Sequence, residues 1–199
     1  MHILKNGFTL AEVLITLLII GVVASIVIPG IVADTQNAEY KAAYKKAFSS
    51  ASNAWKLVVT NYESTNVTST GDAASVSNFD AFKSKFTVVK SCNTSSLSQC
   101  WPSGELFAGS WPSGGDSFID SSGMSWCWSS GSWNYIMVDT NGFKQPNKYG
   151  RDRFIFLMKA NDSNGTGLIT KIGVYADFPG VSTTWCPSGG CYYVSWLSQ

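Results

Sequence analysis

Glu12 is the residue whose position most needs a chemical explanation. It is the single charge in an apolar run from Phe8 to Val32, FTLAEVLITLLIIGVVASIVIPGIV. A carboxylate deep in hydrocarbon costs on the order of 2.5–3.5 kcal/mol on insertion scales. Two arrangements would make it tolerable. Thr9-Leu10-Ala11-Glu12 fits a capping box, in which Thr9 accepts from an early backbone N–H and Glu12 reaches back to the start of the helix, near the positive end of its dipole. The other is a cation that Glu12 meets only when two chains associate, since a buried carboxylate paired with an ammonium is far cheaper than one left alone.

Other residues offer weaker chemistry. In VDTNGFKQPNKYGRDRF, Asp139, Asn141 and Asp152 supply oxygens that could hold calcium. The spacing departs from an EF-hand, because the glycine comes early and Gly150 stands where the glutamate would be. A structural turn is the preferred reading, with calcium the one cofactor kept open. Lys144, Lys148, Arg151 and Arg153 crowd the same stretch, but Asp152 lies among them and the chain's net charge is only +1, so nucleic acid is not an expected partner. None of the five cysteines forms a CxxC pair. Cys92–Cys100 and Cys186–Cys191 would each close a small loop and leave Cys127 over, although spacing alone does not fix the pairing. Trp101-Pro102-Ser103-Gly104 recurs as Trp111-Pro112-Ser113-Gly114, with Trp126, Trp128 and Trp133 beyond. Exposed, such rings could stack on sugars; buried, they would make a core, which is the expectation here.

These residues need elements to position them. As a helix, the 25 residues from Phe8 to Val32 would be about 37 Å long at 1.5 Å per residue, against roughly 30 Å of hydrocarbon. Lys5 precedes the run and Asp34 follows it, which places the N-terminus in the cytoplasm and the rest outside. Pro29, lacking an N–H, should bend or locally melt the helix near the membrane exit. Tyr40, Tyr44, Phe48, Ala51, Trp55, Val58 and Tyr62 then recur every three or four residues, predicting an amphipathic continuation. Residues 64–78 read as a loop and residues 79–86 as a short helix. Strands are expected at 133–139, 153–159, 168–176 and 192–196. Asn141-Gly142 is a hairpin signal. The predicted class is α+β: a long N-terminal helix, transmembrane in its first half and amphipathic in its second, packed on a small antiparallel sheet. Charged residues are only 14% of the chain, which suits a head outside the cytoplasm.

Gly7-Phe8-Thr9-Leu10-Ala11-Glu12 resembles the signal of type IV prepilins and type II secretion pseudopilins. The resemblance extends along the apolar run to Gly21 and Pro29, where such helices loosen or kink. It implies that a prepilin peptidase cuts after Gly7 and methylates the new N-terminus, Phe8. It also implies that Glu12 neutralises the amine of a neighbouring subunit during assembly. The organisation is then a leader at 1–7, a transmembrane and assembly helix at 8–33, an amphipathic helix at 34–63 and an extracytoplasmic head at 64–199. Cys186–Cys191 loosely resembles the C-terminal disulfide loop of family heads. The partners implied are the peptidase, other pilin or pseudopilin subunits, the membrane and an assembly platform. The subunit would sit in the inner membrane by a single pass and then enter an envelope or surface filament. Cleavage removes His2, the only histidine, so the mature chain can build neither a Ser-His-Asp triad nor a Cys-His pair, and no enzymatic activity is expected. The competing expectation is a secreted, tryptophan-rich glycan-binding or adhesive module behind an ordinary signal peptide.

Overall fold

The computed structural model describes residues 7–61, 79–107, 112, 115–128, 135–159 and 173–175. The chain divides into two units, Met1–Glu39 and Tyr40–Gln199. One helix, α1 (Leu10–Asn61), belongs to the first unit up to Glu39 and opens the second.

In the first unit the apolar side chains point outward on every side of the helix: Leu10, Leu14, Ile19, Ile26 and Ile31 are all exposed. A surface of that kind needs lipid or a partner to cover it. The hydroxyls within it are satisfied internally, with Thr16 Oγ1 donating to Val13 O at 2.9 Å and Ser25 Oγ to Val22 O at 2.8 Å. Such self-satisfaction is what an apolar medium requires of polar groups. Helical structure continues without a break through Gly21 and Pro29. Of the two outcomes expected at Pro29, a bend or local melting, the second does not occur. The proline ring withdraws one N–H from a helix of 52 residues, and the turns on either side hold.

The second unit begins where α1 becomes amphipathic. Tyr44, Ala47, Ala51, Ala54, Trp55 and Val58 are buried, while Lys46 and Lys56 are exposed. Tyr62 and residues 64–78 lie outside the described residues. A short helical stretch at 79–83, ending sooner than the sequence suggests, adds the buried rings Phe79 and Phe82.

Six strands follow in chain order: β1 (Val88–Cys92), β2 (Ser117–Asp120), β3 (Ser125–Trp128), β4 (Tyr135–Asp139), β5 (Arg153–Lys159) and β6 (Gly173–Tyr175). They form a meander in that same order, every pairing antiparallel. Strand geometry sends successive side chains to opposite faces. One face presents Phe118, Trp126, Ile136, Val138, Phe154 and Phe156 to α1, with the Tyr44 ring 4.6 Å from that of Phe154 and Phe48 5.5 Å from Phe156. The other face carries Cys127, Met137, Ile155 and Leu157, covered by Trp101, Phe107 and Tyr149. Both faces are therefore buried, and the α+β architecture expected from the sequence is the one observed.

β5 has the bounds that the sequence predicts, and β4 and β6 fall within their predicted ranges. The strand expected at 192–196 lies outside the described residues. β1, β2 and β3 lie outside the strands expected from the sequence. Nor does Asn141-Gly142 make a two-residue hairpin, since residues 140–152 separate β4 from β5. Gly142 still takes the left-handed conformation, at φ 65°, that makes this residue pair a turn former.

Candidate functional site

The N-terminal turn is built from its own residues. Thr9 is the N-cap, and its backbone N and Oγ1 both donate to Glu12 Oε2, each at 2.8 Å. Glu12 N donates back to Thr9 Oγ1 at 3.2 Å. Both halves of the capping box are present. One carboxylate oxygen takes both of these neutral donors, which leaves Oε1 as a handle for a positive group. Phe8, immediately outside the cap, is 88% exposed, and an added Cβ at Gly7 would meet nothing within 4 Å. The Gly7–Phe8 peptide bond is thus open to an enzyme. Its hydrolysis would create an ammonium on Phe8, one residue before the cap and four before Glu12.

The β4–β5 connection gathers the other candidates around two inward-facing acids. Asp152 is fully buried. Its Oδ1 accepts from Lys148 N at 2.7 Å, and its Oδ2 accepts from Asn147 N at 2.8 Å and Asn141 Nδ2 at 3.1 Å. Its carbonyl accepts from Thr140 N and Oγ1. Asp139, also fully buried, pairs with Arg153 Nε at 2.9 Å. Arg153 goes on to donate to Glu105 O at 2.6 Å and to Pro102 O, and its guanidinium lies 5.0 Å from the centre of the Trp101 ring. Burial pushes the Asp139 carboxyl up to about 7, and the Arg153 hydrogen bond offsets only part of that rise. The residues offered as calcium ligands are brought together, but as the hub of a turn whose carboxylates accept from protein N–H groups. Arg153 is a correction to the surface cluster drawn from the sequence, because its side chain lies wholly inside. No sequence signal marks this inward pair, since the spacing of Asp139 and Arg153 puts an acid and a base on neighbouring strands without saying which face they share.

Of the cysteine candidates, Cys92 and Cys100 are bonded, their Cα atoms 6.0 Å apart, while Cys186 and Cys191 lie outside the described residues. Cys127 is a buried free thiol on β3, and desolvation pushes its ionisation well above the ordinary range. The described tryptophans at 55, 101, 126 and 128 are all buried, so these four offer no exposed platform for a sugar. Trp111, Trp133, Trp185 and Trp196 lie outside the described residues. Among the described residues α1 is the one helix long and apolar enough to cross a membrane.

Residues 4–28 match the family model of the prokaryotic N-terminal methylation motif. The match covers Gly7, Phe8, the capping box and most of the apolar run. No curated protein and no solved structure matches the chain.

Proposed function

We propose that this chain, which carries the prepilin-type cleavage and methylation segment of type IV pilins and pseudopilins, is a non-enzymatic subunit that assembles through α1 into a type IV pilus or a type II secretion pseudopilus. In this reading the leader up to Gly7 is removed and Phe8 is methylated while the apolar helix sits in the membrane. An assembly platform then extracts the subunit into a growing filament. The head stays on the far side of the membrane throughout.

One observation carries the reading. Glu12 sits at the start of a helix whose large apolar side chains, as far as Val32, are exposed all round. Its capping bonds leave one carboxylate oxygen for a partner. Methylation of an amine keeps its positive charge, so the mature Phe8 of a neighbouring copy supplies the ion that Glu12 lacks. Only one axial offset between two helices brings those groups together, so the same pair would set the filament register. Packing against copies of itself then covers the apolar surface once lipid is gone.

Glu12→Ala tests this directly. Cleavage and methylation should proceed, because the scissile bond is unchanged, while filaments recovered by shearing should be lost. Breaking a buried ion pair costs about 3–5 kcal/mol, enough to remove a subunit from a growing stack. Normal assembly of that variant would refute the pairing.

A further inference from the structure

Within the second unit, α1 and β5 run side by side in the same sense. The Tyr44 ring is 4.6 Å from that of Phe154 and the Phe48 ring 5.5 Å from that of Phe156, so a step along the helix matches a step along the strand. The β4–β5 connection, residues 140–152, precedes β5 and therefore occupies the end of this unit at which α1 enters. The β2–β3 turn shares that end, because β3 starts with Ser125 opposite Asp139. The two turns touch, since a Cβ added at Gly142 would lie 2.7 Å from Gly123 O.

Charge is sorted at this end. Among the described residues its acids are Glu105, Asp120, Asp139 and Asp152, and protein donors engage each of them. Tyr149 N donates to Glu105, and Ser122 N, Met124 N and Trp126 Nε1 donate to Asp120. Arg153 holds Asp139, and the amides of Asn147 and Lys148 hold Asp152. Asp120, Asp139 and Asp152 are buried. Lys144, Lys148 and Arg151 are exposed, and beside Lys144 the apolar Phe143 is 54% exposed. Arg151 N, Asp152 N and Arg153 N all donate to Lys148 O, so the turn is closed and presenting its cations costs little further ordering. An aromatic ring among fixed cations suits an anionic lipid surface, the ring entering the headgroup boundary while the charges meet lipid phosphates.

Position favours the same occupant. The residues from Val32 to Tyr40 account for about 12 Å of helix, of which lipid headgroups take about 5–7 Å. What remains is short against the reach of a connection that runs from residue 140 to residue 152. Asp34 and Glu39 each share a face of α1 with a lysine seven residues on, Lys41 and Lys46, so the helix brings no net negative charge to oppose the contact.

We infer that Phe143, Lys144, Lys148 and Arg151 seat the head on anionic phospholipid headgroups of the membrane that α1 spans, before the subunit is extracted. This contact rests on the reading of α1 as a membrane helix with the head beyond it. Each cation close to such a surface favours contact about fivefold, and salt screens the attraction.

The test uses the full-length chain, one copy per lipid nanodisc, with a gadolinium-chelating lipid among the headgroups and NMR relaxation of the backbone amides as the readout. Discs of phosphatidylcholine are compared with discs that also contain phosphatidylglycerol. The enhancement at Phe143, Lys144 and Lys148 should be about fivefold or more larger in the anionic discs. At the 3-10 helix Thr94–Gln99, which follows the far end of β1, it should not change. High salt should abolish the difference, and so should the triple variant Lys144→Gln, Lys148→Gln and Arg151→Gln. Equal enhancement in both lipids would overturn the proposal, because the helical tether alone would then set the distance. Absence of enhancement in both would overturn it as well, and resonance shifts that require two copies per disc would instead give this surface to a second subunit. None of these results bears on the assembly reading, which is decided by Glu12→Ala.

Discussion

Asp139 shows how much a single buried residue can decide. Its carboxyl is raised to about 7, first by burial, against the opposing pull of Arg153. In the unfolded chain it would titrate near the ordinary 3.8. A folded-state value above the unfolded one means that the native head binds this proton more tightly. The resulting stabilisation is complete below about 4 and is lost as pH rises through about 7. Thermal unfolding of the full chain in detergent should therefore show a midpoint that falls from mildly acidic to neutral pH, and Asp139→Asn should flatten that slope. Arg153→Met tests the other partner. It abandons a buried carboxylate and two carbonyls, those of Pro102 and Glu105. A loss of about 3–5 kcal/mol is expected for a broken buried pair, read as a lower denaturant midpoint with the helical signal of α1 retained.

Among the elements, the strands differ in what their sequences reveal. β5, RFIFLMK, is a dense run of apolar residues that declares itself. β3, SWCW, and β2, SFID, are four residues each, and their serines, Ser125 and Ser117, are themselves buried. With both faces covered, no alternation of apolar and polar residues marks them, and only pairing, of β3 with β4 and of β2 with β3, makes them strands. β1 is an edge strand with four exposed residues, and it is fastened through Cys92 at its end. The Cys92–Cys100 bond ties β1 to the short 3-10 helix Thr94–Gln99. Replacing both cysteines by serine should cost about 2–3 kcal/mol by the chain-entropy account for a loop of this size. Equilibrium unfolding with and without reductant would measure it, the effect of reductant disappearing in the double variant.

For the whole molecule, the sequence was most informative where a single physical demand dominates. An apolar stretch long enough to span hydrocarbon, with one acid at its start, admits few explanations, and the capping geometry at Thr9 and Glu12 follows that pattern. The β4–β5 connection was harder to read, because Asp152 and Arg153 are neighbours in sequence beside exposed Arg151, and composition does not say which side chains turn inward. Which side chains of the head turn inward is therefore visible only in three dimensions, whereas the apolar helix is legible in the sequence. The bond between Gly7 and Phe8 is the decisive one, because its cleavage would create the ammonium that Glu12 would meet. Intact mass and N-terminal sequencing of the protein isolated from its native membranes test it most directly. A chain beginning at N-methylated Phe8 is the expected result, and one that retains its first seven residues would contradict the account.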